Sequence, residues 1–166
     1  MRGSVAALAA MAVTTVVAQE KACSPLHFIF ARATTELPPN VENATPQAFE
    51  AAANKFWSKG YGAGGFSMFQ NISAVIPGTT GYPVHYPASW SGCTSEDKGV
   101  KDMLAELSKQ SAACPKQKFI LGGHSQGGVV TVRTIPQIPA DILAKVLAVT
   151  MPELPYSRQR PVQVVL

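Results

Sequence analysis

Ser125 lies in the pentapeptide G-H-S-Q-G at positions 123–127, directly after the apolar run 118–121. A strand, then G-x-S-x-G, then a helix is the context that holds a serine on a sharp turn as a nucleophile. Glycines on both sides permit the turn, and the helix that begins at Gln126 offers unpaired N–H groups to an oxyanion. The chemistry predicted is attack on a carbonyl. The alternative is an ordinary strand-to-helix turn with a solvated serine, because small-residue turns recur by chance.

The elements that must position Ser125 alternate along the chain. Apolar runs predict buried strands at 26–31, 84–86, 118–122 and 146–151, and a more mixed strand at 67–76. Helical spacing predicts helices at 46–59, 94–113, 126–133 and 139–145, the first with Thr45 as N-cap and Pro46 as its first residue. The glycine-rich turn at 60–65 follows a helix and lacks G-K-S/T, so it does not predict a phosphate loop. The alternation predicts an α/β fold with a central, mostly parallel sheet covered on both faces.

The first 18 residues resemble a signal peptide. Arg2 is followed by an apolar stretch, 5–17, that is too short to span a bilayer, and small residues end at Ala18. We therefore expect a mature chain that begins near Gln19 and is secreted, soluble, without stable membrane insertion, and monomeric. The sequons that begin at Asn43 and Asn71 are compatible with that route.

The charge of the chain is mild. Removing residues 1–18 takes away only Arg2, so the formal charge falls from +4 to +3. The basic residues form no stripe of the kind that nucleic acid requires, so we expect no nucleic-acid partner. What remains is enough for about one domain of modest size.

Three cysteines stand at positions 23, 93 and 114. In an oxidising compartment two of them should pair. Cys23 and Cys114 precede two predicted strands by similar offsets, so they lie close enough to bridge if those strands are neighbours in a parallel sheet. Cys93 is then a free thiol or half of a bridge whose partner is missing.

Four stretches, in order, resemble the cutinase and acetylxylan esterase family of small secreted α/β-hydrolases. Cys23 leads into F-I-F-A-R-A-T-T-E at 28–36, Y-P-A stands at 86–88, Cys114 is followed by proline, and G-G-H-S-Q-G stands at 122–127. The spacing from Cys23 to Thr34 equals that from Cys114 to Ser125, as in the family. The resemblance covers residues 23–151 and implies a three-layer α/β-hydrolase-like sandwich.

The resemblance also implies roles for individual residues. Ser125 would be the nucleophile. The backbone N–H of Gln126 and the N–H and hydroxyl of Thr34 would form the oxyanion hole. Cys23 and Cys114 would form the family's disulfide, and no cofactor or metal is implied. A tetrahedral intermediate needs such fixed donors, and losing one costs about 3–4 kcal/mol of barrier.

The chain departs from the family after the serine. The family's triad continues with an aspartate and a histidine, but the residues after Ser125 contain no histidine, and Asp141 is their only aspartate. The sequence thus offers no candidate for either triad position. We expect the resemblance to end at Met151, leaving an incomplete domain at 19–151 and a non-matching tail at 152–166.

Other groups could substitute as the base. His124 adjoins the serine and is turned away by the elbow, and His27 stands at the wrong end of its strand. His85, near a strand end, is the only histidine with a geometric opportunity, although a partly exposed strand histidine is the simpler reading. Glu36 and Asp97 are better explained as solvated loop and cap residues.

These features predict a secreted serine esterase that acts through an acyl-enzyme on a cutin-like polyester or an acetylated plant polysaccharide. The alternative is a truncated product or pseudoenzyme that keeps the elbow and lacks the base. A thioesterase or acyltransferase of the same fold is a weaker alternative, because acyl-CoA is intracellular. Without a base, we expect short p-nitrophenyl esters to be hydrolysed poorly or not at all.

Overall fold

The computed structural model describes residues 23–91 and 93–152. The strands are β1 (Leu26–Ala31), β2 (Thr80–Pro83), β3 (Lys118–Gly123) and β4 (Val146–Thr150). The helices are α1 (Pro46–Ala53), α2 (Gly62–Val75), α3 (Cys93–Ala113), α4 (Gln126–Thr134) and α5 (Ala140–Leu143), with a 3₁₀ turn at Ile135–Gln137. The strands form one sheet in the order β2-β1-β3-β4, and every pairing is parallel. The predicted α/β class with a central parallel sheet is confirmed.

Alternate residues of β1 face opposite sides of the sheet and so enter two separate cores. Ile29 packs in a core with Met103 of α3 and Val130 of α4, whereas Phe28 and Phe30 pack with aromatic residues of the α2 side. Every position of β1 is buried, which explains the continuous apolar run at residues 26–31. The result is a three-layer arrangement with α3 and α4 on one face and α2 on the other.

The start of α1 agrees with the local signals in the sequence. The hydroxyl of Thr45 accepts a hydrogen bond from the N–H of Ala48 at 3.2 Å, and Pro46 takes the first helical position. The helix ends at Ala53 rather than continuing to residue 59. Turns follow, and they include Lys59 and Gly60 with positive φ of 48° and 83°.

The predicted strand at 67–76 is wrong, because this segment belongs to α2. Phe66, Phe69 and Ile72 recur at helical spacing and pack on the Phe28 side of the sheet. Gly65 lets the helix approach closely, since a side chain there would collide with the Phe30 ring. The next strand is also displaced: β2 occupies Thr80–Pro83, before the predicted residues 84–86.

The disulfide joins the amino-terminal ends of the two central strands. Cys23 and Cys114 are bridged with a Cα–Cα distance of 5.6 Å, and β1 pairs with β3 in the register Leu26 to Lys118. This is the pairing expected from the offsets of the two cysteines. Cys93 is a free, exposed cysteine.

None of the helices within the described ranges is long and apolar enough to cross a membrane.

Candidate active site

Ser125 sits on the turn between β3 and α4, at the carboxyl end of the strand. Its side chain is exposed, and its backbone has φ 52° and ψ −116°, a conformation that costs a residue other than glycine about 1–3 kcal/mol. The flanking glycines make the turn possible: a Cβ at Gly123 would collide with the backbone of Gly127, and one at Gly127 with the carbonyl of Ala31. The strand, the strained serine and the helix thus form the predicted elbow.

The elbow lies beside the loop that follows β1. Ala31 pairs with Gly123, and the N–H of His124 donates to the carbonyl of Ala31 at 3.1 Å. Thr34 is half-buried on this loop, at the same edge of the sheet as Gln126. Within the described residues, the backbone N–H groups of Thr34 and Gln126 have no protein acceptor. Two free donors therefore stand at the edge that presents Ser125.

A buried arginine shapes the Thr34 loop. The Arg32 side chain is 0% exposed, and burial lowers the pKa of its guanidinium to about 10. Its Nε donates to the carbonyl of Glu36 at 2.9 Å, and its Nη2 donates to the carbonyl of Pro87 at 3.1 Å. The ring of Tyr86 stacks beside it, and the Tyr86 hydroxyl donates to the Arg32 carbonyl. Arg32 thereby ties the Thr34 loop to the segment after β2.

The side chain of Gln126 ties the elbow to that same segment. Its Nε2 donates to the carbonyl of Ser89 at 2.9 Å and to the Glu96 carboxylate at 3.1 Å. The N–H of Thr35 donates to the carbonyl of Ala88 at 2.7 Å. Only the backbone role of Gln126 was predicted, because the partners of its side-chain amide lie 37 and 30 residues away along the chain.

Glu36 is not the solvated loop residue that the sequence suggested. Its Oε2 accepts from the N–H of Ala33 at 2.6 Å, and its Oε1 accepts from the N–H of Ala63 at 3.0 Å. Ala63 is in the first turn of α2, so the carboxylate also faces the positive end of that helix. His124 Nδ1 lies 3.9 Å from the same carboxylate. Glu36 therefore anchors the Thr34 loop to α2. Asp97, by contrast, is an exposed partner of Arg133.

None of the three histidines is hydrogen-bonded to the Ser125 hydroxyl in the described structure. His124 faces Glu36, and His27 stands in the amino-terminal half of β1, as expected. His85 is partly exposed, as the simpler interpretation predicted, and it lies just after β2 rather than within a strand. Its ring stacks on Phe49 at 4.2 Å, and both ring nitrogens are buried without a partner. Burial lowers the pKa of His85 to about 4.

A half-buried carboxylate near His85 was not among the residues that the sequence analysis singled out. Asp102 of α3 accepts from the backbone N–H of His85 at 2.7 Å and from the hydroxyl of Tyr82 at 3.1 Å. Burial raises the pKa of Asp102 to about 6, although these two hydrogen bonds oppose the shift. The helical spacing of α3 could have marked residue 102 as facing the sheet, but only the fold brings β2 to it.

A pocket of about 870 Å³ lies at the opposite edge of the sheet, beside the disulfide. There His27 Nδ1 contacts the Thr80 hydroxyl at 2.8 Å, and its Nε2 lies 3.3 Å from the Glu106 carboxylate. Burial opposes ionisation of Glu106, but contacts from His27, Gln110 and Lys109 outweigh it and lower its pKa. These contacts hold His27 and Glu106 together as a buried pair, and Ser125 is at the other end of the strands. We therefore assign the candidate site to the elbow.

No cluster of three or more histidine, cysteine or acidic side chains suited to a metal occurs in residues 23–91 and 93–152.

The chain is similar in sequence to known proteins. Residues 58–164 match the family model described as cutinase. The chain belongs to the cutinase family. A cutinase from Monilinia fructicola is 31% identical over 141 residues, which are 85% of this chain and 62% of that protein.

Two solved structures of related esterases share the fold. An iodinated acetyl xylan esterase complex superimposes with a TM-score of 0.59 at 21% identity, over 78% of this chain and 63% of the other. A Trichoderma reesei cutinase in complex with a phosphonate inhibitor superimposes with a TM-score of 0.57 at 23% identity, over 78% of this chain and 51% of the other. The chain thus spans less than two thirds of each of these proteins. The α/β-hydrolase-like sandwich is confirmed, and the cutinase match continues to residue 164, beyond the end predicted at Met151.

Proposed function

We propose that the chain is a carboxylic ester hydrolase whose nucleophile is Ser125. The observation that carries the proposal is the elbow: an exposed serine at φ 52° between a parallel strand and a helix, in a chain of the cutinase family. Such strain in a residue other than glycine persists where the surrounding structure imposes it, and it concentrates at functional sites.

The Ser125 hydroxyl oxygen attacks the carbonyl carbon of the ester and forms a tetrahedral intermediate. The N–H groups of Gln126 and Thr34 are the proposed donors to its negative oxygen. Collapse of the intermediate breaks the bond to the alcohol, which leaves with the proton of the Ser125 hydroxyl, and an acyl-serine remains. Water then hydrolyses the acyl-serine, which releases the acid and restores the hydroxyl.

The proposed substrate is an extracellular ester, either a cutin-like polyester or an acetylated polysaccharide. Relatives named cutinase and acetyl xylan esterase support both possibilities. The Cys23–Cys114 disulfide is typical of proteins that mature in an oxidising compartment, which supports secretion. The predicted signal peptide, residues 1–18, lies outside the described residues.

A non-catalytic role is the second candidate, because the three histidines of the chain are placed elsewhere. A serine without a base is a weak nucleophile. Substrate binding and an oxyanion hole alone accelerate the reaction only about 10³–10⁴-fold over the rate in water.

Turnover of p-nitrophenyl acetate separates the two candidates. The full chain is compared with a Ser125→Ala variant, and with Ser108→Ala, an exposed position on α3, as a matched control outside the elbow. Ester hydrolysis predicts release of p-nitrophenol above the Ser125→Ala rate, with the Ser108→Ala rate equal to that of the unaltered chain. Equal rates for the unaltered chain and Ser125→Ala would reject ester hydrolysis at Ser125 and favour the non-catalytic role.

A further inference from the structure

Trp90 is the most exposed large apolar side chain among the described residues, at 86%. Leaving a tryptophan in water forgoes a large burial free energy, and tryptophan is enriched at binding interfaces. The other tryptophan, Trp57, is 63% exposed but rests edge-on against Phe66 at 5.8 Å. No aromatic or cationic partner contacts Trp90 within the described structure.

The backbone that leads into Trp90 is held by two hydrogen bonds. The preceding carbonyl, that of Ser89, accepts from the Gln126 amide at 2.9 Å, and the carbonyl of Ala88 accepts from the N–H of Thr35 at 2.7 Å. Gln126 directly follows Ser125, so one hydrogen bond joins the neighbours of Trp90 and of the candidate nucleophile. Trp90 is therefore presented at the rim of the candidate site by an anchored segment.

The surroundings of Trp90 are polar. The hydroxyls of Ser89 and Ser91 lie 3.0 Å apart, and the carboxylate of Glu96 and the amide of Gln126 lie beneath the segment. A site for an acyl chain needs a continuous apolar surface, because its binding comes from burial of apolar area. A flat indole beside hydroxyl, amide and carboxylate groups suits a sugar ring, which has an apolar C–H face and a hydroxyl edge.

We propose that Trp90 is a stacking platform for a pyranose ring of a polysaccharide chain. The ring would lie on the indole, and an acetyl ester on the same or the next sugar would lie over Ser125. The ester part of this statement rests on the proposed ester hydrolysis at Ser125, whereas sugar binding by Trp90 stands independently of it.

Tryptophan fluorescence tests the platform without requiring catalysis. Because the chain has two tryptophans, Trp57→Phe leaves Trp90 as the single reporter, and Trp90→Phe is the matched control that leaves Trp57. Each variant is titrated with xylohexaose, with cellohexaose and with a tributyrin emulsion. We expect either oligosaccharide to shift the Trp90 emission to shorter wavelength and to leave the Trp57 reporter unchanged.

Binding to insoluble xylan provides the second measurement. Trp90→Ala should weaken binding about tenfold, as expected for loss of one aromatic stacking surface, and Trp57→Ala should bind as the unaltered chain does. The proposal is overturned if the Trp90 emission does not respond to either oligosaccharide up to about 10 mM. It is also overturned if Trp90 responds to tributyrin alone, or if both reporters respond alike. A chain that binds sugar at Trp90 but shows no turnover would refute the proposed hydrolysis and keep the platform.

Discussion

Replacement of Glu36 by glutamine tests how the Thr34 loop is held. The carboxylate accepts from the N–H of Ala33 at 2.6 Å and from the N–H of Ala63 at 3.0 Å. Glutamine keeps one oxygen for one of these donors but turns an NH₂ group toward the other, so one hydrogen bond is lost. The negative charge near the start of α2 is lost as well.

The magnitude follows from these contacts. A hydrogen bond to a charged group contributes about 1.5–3 kcal/mol, and a charge at a helix N-terminus about 0.3–1 kcal/mol. Because the Glu36 side chain is 23% exposed, solvent reduces both effects, and we expect a loss of about 2–3 kcal/mol in the free energy of unfolding. In a domain of this size that loss lowers Tm by about 5–10 °C.

Urea denaturation and thermal melting would measure the loss. The matched control is Glu50→Gln on the exposed side of α1, which should stay within about 0.5 kcal/mol of the unaltered chain. If Glu36→Gln and Glu50→Gln unfold at the same urea concentration, the Glu36 contacts do not anchor the loop, and the reasoning fails.

Two further predictions concern the disulfide and Asp102. Replacing both Cys23 and Cys114 by serine should lower the free energy of unfolding by about 4–5 kcal/mol at most, because the bridge closes a loop with a sequence separation of 91. Cys93→Ser should change the free energy of unfolding by less than about 0.5 kcal/mol, because Cys93 is free and exposed. Similar urea midpoints for these two variants would contradict this. The pKa of Asp102 is raised to about 6 in the folded chain. Between about pH 4 and pH 6 the folded chain therefore keeps a proton on Asp102 that the unfolded chain has lost, so the fold loses stability as the pH rises from about 4 to 7. Relative to Asp102→Asn, which does not titrate, the unaltered chain should lose about 2–3 kcal/mol over that range; a difference that is constant with pH would refute this assignment.

The sequence alone determined those features whose causes are local. The elbow at Ser125 was predictable because the strand, the glycines and the helix are adjacent in the chain. The start of α1 was predictable because Thr45 and its hydrogen-bonded partner are three residues apart. The disulfide was predictable because two similar offsets and one parallel pairing suffice to bring Cys23 and Cys114 together.

The tertiary structure decided whatever depends on partners far along the chain. The glycine-rich segment that begins at Gly62 has a weak intrinsic preference for helix, and α2 forms there because Glu36 accepts from its first turn and Gly65 packs on Phe30. Asp102 acquires its raised pKa only because the fold buries its carboxylate, and the hydrogen bonds from His85 and Tyr82 reduce that rise. Arg32 becomes a structural residue only when Pro87, 55 residues away, supplies a carbonyl to it. Hydrogen bonds and burial depend on groups that lie within a few ångströms in space. Residue type and spacing along the chain do not show which distant groups become neighbours, because the parallel sheet alone brings these loops to one edge.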